Sequence, residues 1–269
     1  MASLEGKVAI VTGGGRGLGH GFARRLADLG AKVAVFDIDL QSWREFEGEA
    51  QLMTAASTVE EIEQAGGEAI GIEVDVSDPD AVKAAVERVA DAWGRIDVLV
   101  ANAGGGSGSL EDTRASELKP EELQVITARN LYATIYTCTA VAPIMKRQGS
   151  GKIITVGSLA AIILSGIGGH AHYAAAKAGI IQYTRYLAQD LGPHGITANC
   201  IAPGVTATGR IAKTLLGGDL KTNPMLEAIA LRRFGTVEDC ANVIEFLATP
   251  LSDYVTGVLI PVDGGMRTG

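Results

Sequence analysis

Residues 7–19, Lys7-Val-Ala-Ile-Val-Thr-Gly-Gly-Gly-Arg-Gly-Leu-Gly19, decide the fold of this chain. The run up to Thr12 is short, apolar and rich in β-branched residues, which predicts a buried strand. A glycine-rich turn follows, and apolar residues then recur at helical spacing as far as Gly30, which predicts a helix that ends there. Residues 31–37 predict a second strand. The unit is therefore strand, glycine turn, helix and strand, as in a parallel α/β sheet.

The glycine turn also predicts a phosphate site, because exposed backbone N–H groups and the positive end of the following helix suit a diphosphate. Its spacing is Gly13-x-x-x-Gly17-x-Gly19, not the commoner G-x-G-x-x-G. A turn without a ligand could be equally rich in glycine, so the glycines alone leave both interpretations open. Asp37 favours a dinucleotide, because it ends the second strand where a carboxylate can accept hydrogen bonds from ribose hydroxyls.

Strands and helices alternate through the rest of the chain, without a linker or an internal repeat. Further strands are predicted at 70–76, 96–101, 152–157, 196–201 and 257–262, and further helices at 57–66, 79–94, from about 120 with a bend or break at Pro143, from 173 to about 191, and at 236–247. Ser57 and Glu60 have the spacing of a capping box. The pattern predicts one α/β domain over 1–269, with a doubly wound parallel sheet and helices on both faces. Residues from about 205 to 224 are predicted to form a substrate lid.

Tyr173 and Lys177 are four residues apart, so a helix would place them on one face, one turn apart. A nearby lysine cation favours the phenolate form of tyrosine and is expected to lower the tyrosine pKa. The pair would then act as a general acid and base, and Ser158 could donate a hydrogen bond to the same reacting oxygen. Taken alone, the pair is also compatible with two residues on a surface helix.

Composition disfavours several classes of function. The net charge of −8 argues against nucleic acid or an anionic membrane as the main partner. Cys138, Cys200 and Cys240 form no CxxC motif, which indicates a reducing compartment, and no apolar run approaches a transmembrane span. We therefore expect a soluble, cytoplasmic protein. His170 and His172 lack a neighbouring Cys or carboxylate, so we expect a loop beside the active centre and no metal site.

Several short motifs occur together, in the order Thr12-Gly13-x-x-x-Gly17-x-Gly19, Asp75-Val76, Asn102-Ala103-Gly104, Asn130, Ser158, Tyr173-x-x-x-Lys177, Pro203-Gly204 and Asp263-Gly264-Gly265. In this order they resemble the short-chain dehydrogenase/reductase family over nearly the whole chain. The resemblance implies a Rossmann-type sheet of about seven strands and a homo-oligomer, either a tetramer or a dimer.

The resemblance also implies roles for individual residues. The glycine turn, with Arg16 and Leu18, would hold the cofactor pyrophosphate, and Asp75 and Val76 would line the adenine. The remaining cofactor residues would be Asp37, Asn102, Ala103, Gly104, Tyr173, Lys177, Pro203, Gly204 and Thr208, with Lys177 on the nicotinamide ribose and Thr208 on the carboxamide. The catalytic set would be Asn130, Ser158, Tyr173 and Lys177, with Asn130 holding a water that links Lys177 to solvent.

Four features depart from the family pattern. Ala101 replaces an asparagine, Gly157 stands where a second serine is common, and the stretch from Ser158 to Tyr173 is slightly long. The stretch after Asp37 is considerably longer than expected. Within it, segment 40–56 carries Trp43 and Phe46, which are costly to leave in water. We expect them to cover the adenine side of the cofactor site or to contact another subunit, although a surface loop is the alternative.

The implied reaction is reversible oxidation of a secondary alcohol to a ketone. NAD is expected over NADP, because a 2′-phosphate beside Asp37 would meet a fixed like charge. Arg16 lies where relatives that use NADP often place a basic residue against this phosphate, but its long side chain is flexible and can swing into solvent. The alternatives are an NADP-dependent ketone reductase and a non-catalytic dinucleotide-binding sensor. We expect an uncharged, apolar small-molecule substrate, because apolar residues follow Ser158 and also occur on the lid. They are Ile162, Ile163, Leu164 and Ile167, and Leu215 and Leu216 on the lid. These side chains could instead form an oligomer interface.

Overall fold

The computed structural model describes residues 3–210 and 224–266. Its sheet has seven parallel strands in the order β3-β2-β1-β4-β5-β6-β7. The strands are β1 Val8–Thr12, β2 Lys32–Asp37, β3 Ala69–Glu73, β4 Val98–Ala101, β5 Gly151–Val156, β6 Ile196–Pro203 and β7 Leu259–Val262. The strand order reverses direction between β1 and β4, and ligands bind at such a point in doubly wound sheets. The predicted fold class is confirmed.

Helices connect the strands and cover the sheet. They are α1 Gly17–Asp28, α2 Glu47–Ala50, α3 Thr58–Gln64, α4 Pro79–Trp93, α5 Pro120–Thr127, α6 Ala133–Gln148, α7 Ala171–Leu191, α8 Pro224–Ala228 and α9 Val237–Ala248. Short 3₁₀ turns lie at Ser42–Glu45, Leu159–Ala161, Gly192–His194 and Pro250–Ser252, and a π-helical turn lies at Ala128–Tyr132.

Two apolar layers form the core, one on each face of the sheet. Side chains from α4, α6 and the end of α7 pack on one face, for example Val86, Val141 and Leu191. Side chains from α1, α3 and α9 pack on the other face, for example Phe22 and Ile244. Burial of both faces explains why the strands read as continuous apolar runs in the sequence.

Of the bend or break predicted at Pro143, the break is wrong, because α6 continues through that residue. The irregularity lies earlier, in the π-helical turn that contains Asn130. There the Asn130 side-chain amide donates to the Ile126 carbonyl at 2.9 Å, and a side chain that takes a main-chain acceptor competes with the regular helical ladder. The turn therefore follows from the position of Asn130 rather than from proline.

Two further predictions need correction. Strand β3 ends at Glu73 rather than at 76, because its partner β2 ends at Asp37. Only half of the predicted capping box forms: Ser57 accepts from the Glu60 N–H, but the Glu60 carboxylate accepts from the Ala56 N–H.

The predicted lid at about 205–224, with Leu215 and Leu216, lies for the most part outside the described residues. Within the part of the chain that is described, no helix combines the length and the apolarity needed to cross a lipid bilayer. All three cysteines are buried free thiols.

Candidate active site

A cavity of about 760 Å³ follows the carboxyl ends of the strands on both sides of the β1–β4 junction. Most of the residues predicted to bind a cofactor or to act in catalysis line it. They are Gly13, Arg16, Gly17, Leu18, Gly19, Asp37, Asp75, Val76, Asn102, Ala103, Gly104, Ser158, Tyr173, Lys177, Pro203 and Thr208. The fold therefore brings these residues to one site, and their individual roles remain predictions.

Two predicted residues do not line the cavity. The Gly204 N–H donates to the Val262 carbonyl, so this glycine packs between β6 and β7. Asn130 is fully buried; its amide oxygen accepts from the Gly105 N–H at 3.0 Å, and its amide nitrogen donates to the Gly105 carbonyl at 3.1 Å. Asn130 thus holds the loop after β4 from behind.

The glycine turn has the conformation that a phosphate site requires. Gly13 and Gly17 have φ angles of +63° and +57°, in the left-handed region that favours glycine. A Cβ atom at Gly19 would overlap the Gly13 carbonyl oxygen, so only glycine permits this approach of helix α1 to the turn. Arg16 is the N-cap residue of α1, and its side chain makes no capping hydrogen bond to the helix. Gly17, Leu18 and Gly19 at the start of the helix line the cavity, and the Gly17 N–H donates to the Glu49 carboxylate at 3.2 Å.

Gly19→Ala is expected to weaken NADH binding by more than about tenfold and to destabilise the fold by about 1–3 kcal/mol, because the turn must move away from the new methyl group. Fluorescence titration with NADH and chemical unfolding would measure both effects. Gly192→Ala is the matched control, since a Cβ there has no neighbour within 4 Å. Tight NADH binding by the Gly19 variant would show that the turn does not hold the cofactor.

Asp37 is fixed at the end of β2 and is 9% exposed. Its carboxylate accepts from the Gly15 N–H at 2.8 Å and from the Asp39 N–H at 3.3 Å. Burial raises the pKa of Asp37 above its ordinary value, and these main-chain donors and the charge of Arg16 offset part of the increase. The carboxylate is thus held rigidly at the rim of the cavity.

Arg16 is held by the long segment that follows β2. Its guanidinium pairs with Glu45 at 2.5 Å, donates to the Ser42 carbonyl at 3.0 Å and lies 4.7 Å from the ring centroid of Phe46. The sequence predicted a flexible arginine that could swing into solvent, and this prediction is wrong. Arg16 already has a carboxylate partner, and this partner is supplied by segment 40–56.

Ser158, Tyr173 and Lys177 meet at the other end of the cavity. Ser158 follows β5 and caps a 3₁₀ turn, and helix α7 carries Tyr173 and Lys177 on one face as predicted. The Lys177 Nζ atom lies 5.7 Å from the ring centroid of Tyr173 and donates to the Val156 carbonyl at 2.8 Å. Gly104 lies next to Lys177 and Asn130, so the loop after β4 borders this end of the cavity.

The pKa shifts at this end differ from the expectation. Burial raises the pKa of Tyr173 above its ordinary value, and a hydrogen bond from Ser158 and the charge of Arg210 offset part of the increase. Burial lowers the pKa of Lys177 to about 8. The prediction that the pKa of Tyr173 is lowered is therefore wrong, because burial outweighs the hydrogen bond from Ser158 and the charge of Arg210.

Several cavity residues were not predicted. Glu45 and Glu49 reach it from segment 40–56, and Arg210 reaches it from beyond β6. The others are Ile38, Val74, Ser77, Gly105, Gly106, Val125, Ala128, Arg129, Val156 and Gly157. Ile38 could have been recognised from its position, because it directly follows Asp37 at the carboxyl end of a predicted strand. The structure shows it 70% exposed, and a large apolar residue so exposed is suited to cover a ligand.

The apolar loop after Ser158 does not line the cavity. Leu164 is 96% exposed, and Ile162 and Ile167 are also exposed. The two interpretations of this loop, substrate contact and oligomer interface, therefore both stay open. In the same region, His170 is near the main chain of Gly108 and His172 is buried. Among residues 3–210 and 224–266, no group of three His, Cys, Asp or Glu side chains is arranged to hold a metal ion.

The site fits a nicotinamide dinucleotide. The glycine turn packs so closely that a Cβ atom at Gly13 would press on Ala103 and one at Gly19 would overlap the main chain of Gly13. It lines the cavity and ends at the start of a helix, which suits a diphosphate. Asp37 offers a carboxylate for ribose hydroxyls at one end of the cavity, and Tyr173 and Lys177 offer proton-transfer groups at the other.

Comparisons with known proteins agree with this geometry. A family model described as enoyl-(acyl carrier protein) reductase matches residues 13–267. Cyclohexanol dehydrogenase from Rhodococcus sp. (strain TK6) is 52% identical over 264 residues, which cover 98% of this chain and 97% of that protein.

Two solved structures are similar over almost their full length. A short-chain type dehydrogenase/reductase from Mycobacterium marinum has a TM-score of 0.85 at 30% identity and covers 99% of this chain and 98% of that chain. A 3-oxoacyl-[acyl-carrier protein] reductase with bound NAD from Brucella melitensis has a TM-score of 0.82 at 30% identity, and the match covers 99% of this chain and 93% of that chain. The chain belongs to the short-chain dehydrogenase/reductase family and is an oxidoreductase.

Proposed function

We propose that this enzyme catalyses reversible, NAD-dependent oxidation of an uncharged, apolar secondary alcohol to its ketone. The observation that carries the proposal is one cavity with Asp37 at one end and Ser158, Tyr173 and Lys177 at the other. Asp37 recognises a ribose that carries no 2′-phosphate. Ser158, Tyr173 and Lys177 serve the proton transfer at the other end.

Tyr173 accepts the hydroxyl proton of the alcohol, and Ser158 donates a hydrogen bond that positions the same oxygen. Lys177, close to the ring of Tyr173, stabilises the phenolate when its amine is charged. The positive charge of Arg210 offsets part of the increase that burial causes in the pKa of Tyr173. The bound nicotinamide supplies the hydride chemistry, and the protein supplies orientation and electrostatics.

One comparison supports an apolar substrate. The relative from Rhodococcus, at 52% identity, is a cyclohexanol dehydrogenase. A cyclic secondary alcohol is therefore the first substrate to test.

We predict that cyclohexanol with NAD gives a kcat/KM at least about tenfold above those of hydroxy acids and phosphorylated alcohols. The measurement is NADH absorbance across a panel of alcohols and ketones. The second candidate is reduction of a 3-oxoacyl thioester, because the Brucella relative is a reductase of that type. A 3-oxoacyl thioester preferred over cyclohexanone would favour it, and a preference for carboxylate or phosphate substrates would exclude the apolar proposal.

The same proposal places the enzyme in the cytoplasm, where buried free thiols such as Cys138 persist. We also propose that the enzyme forms a homo-oligomer, either a tetramer or a dimer. Exposed apolar side chains such as Leu164 and Tyr254 supply surface that an interface would cover. Mass measurement in solution would distinguish these assemblies from a monomer.

A further inference from the structure

Segment 40–56 joins the start of helix α1 to Arg210 through one buried carboxylate. Glu49, which is 4% exposed, accepts from the Gly17 N–H at 3.2 Å and from the Arg210 N–H at 2.9 Å. Both main-chain nitrogen atoms therefore lie against the same carboxylate group. This places the main chain of Arg210 beside the first residue of α1.

The same segment also holds the side chain of Arg210. The guanidinium carbon lies 5.8 Å from the ring centroid of Phe46, within the range of a cation–π contact. The main chains of Gly48 and Gly209 are so close that a Cβ atom on either residue would overlap the other. A guanidinium nitrogen of Arg210 lies 3.7 Å from the Cβ position of Gly105, so the side chain extends across the cavity.

The charges that line the cavity affect how well it can accept a diphosphate. Four acids line it, namely Asp37, Glu45, Glu49 and Asp75. A dinucleotide brings two more negative charges in its diphosphate. Arg16 already pairs with Glu45, and Lys177 donates to the main chain at the opposite end. Arg129 also lines the cavity, from the π-helical turn. The guanidinium of Arg210, which extends across the cavity from a main chain beside the start of α1, would offset the diphosphate charge.

We propose that Arg210 is a diphosphate-binding residue, and that Phe46 and Glu49 are positioning residues that hold it beside the start of α1. The inference rests on the proposed function, because it takes the ligand to be a nicotinamide dinucleotide. It gives segment 40–56, the long departure from the family pattern, a role in cofactor binding.

The test is fluorescence titration of the full-length protein with NADH. Arg210→Gln is expected to raise the Kd about 10- to 100-fold at low salt, as for loss of a charge-assisted hydrogen bond. Arg210→Lys should recover part of the affinity, and added salt should narrow the gap between wild type and Arg210→Gln. Arg44→Gln is the matched control, because Arg44 lies on the same segment, contacts the Trp43 ring at 5.1 Å and does not line the cavity.

Competition titrations identify the ligand group that Arg210 contacts. The loss in Arg210→Gln should appear with ADP as competitor and be absent with adenosine. Phe46→Leu should weaken NADH binding in the wild-type background and have a smaller effect in Arg210→Gln, because part of its effect acts through Arg210 and the rest through Arg16, which stacks on the same ring. An additive effect of Phe46→Leu would contradict the positioning role.

Two results would overturn the proposal. The first is NADH binding by Arg210→Gln within about twofold of wild type, and the second is an equal loss with adenosine. Failure of the wild-type protein to bind NADH would instead contradict the proposed function, so the two failures are distinguishable.

Discussion

Tyr173→Phe is expected to lower kcat for alcohol oxidation by about 10²- to 10⁴-fold while NADH binding stays within about twofold of wild type. The substitution removes only the phenolic oxygen, which is the atom that accepts the substrate proton. The ring that lies next to Gly106 and Lys177 remains in place. Steady-state kinetics and NADH titration on the same preparation would separate the two effects.

The matched control is Tyr186→Phe, because Tyr186 lies on the same helix and is 71% exposed. It should retain wild-type kcat. A Tyr173→Phe variant with a tenth or more of wild-type activity would mean that this residue contributes about 1.4 kcal/mol or less to lowering the barrier, and the assignment would fail.

The pH dependence provides a second readout of the same group. Burial raises the pKa of Tyr173 above its ordinary value, so the phenol is neutral at neutral pH. Ketone reduction uses that phenol as the acid and should decline only at alkaline pH, whereas alcohol oxidation uses the phenolate and should rise with pH. In Tyr173→Phe, the pH profiles of ketone reduction and alcohol oxidation should no longer show these opposite trends.

The positions of the site residues could be predicted from the sequence because they follow from the topology. Asp37, Ser158 and the glycine turn each follow a strand, and the carboxyl ends of parallel strands meet at one edge of the sheet. Tyr173 and Lys177 could be paired because helical spacing alone sets their separation. These inferences need only local periodicity and one topological rule.

The interactions that tune the site could not be predicted, because they join residues that are distant in sequence. The Glu49–Arg210 hydrogen bond spans 161 residues, and the Arg16–Glu45 contact depends on how an irregular segment folds back. The sign of the Tyr173 pKa shift was missed for a related reason. Spacing indicates which charges are near a group, but burial decides the balance, and burial is a property of the whole fold.

The cofactor preference depends on the acid at the end of β2. We predict that wild type favours NAD over NADP by about 100-fold or more in kcat/KM, because a 2′-phosphate beside the fixed carboxylate of Asp37 would cost several kcal/mol. Asp37→Asn should reduce the preference by at least about tenfold. This substitution removes the charge but keeps an oxygen that can accept from the Gly15 N–H. Asp39→Asn, two residues away and outside the cavity, should leave the ratio unchanged.

The contacts of Arg16 extend the prediction. In Asp37→Asn alone, Arg16 remains paired with Glu45 and stacked on Phe46, so it offers a phosphate little additional attraction. Adding Glu45→Gln releases the guanidinium, and the double variant should move further toward NADP than the sum of the two single changes, because the substitutions act on one charge network. The ratio of kcat/KM for the two cofactors in all four proteins tests this. A wild-type preference for NADP would mean that Arg16 attracts the phosphate despite Glu45, and that the charge of Asp37 does not decide the choice.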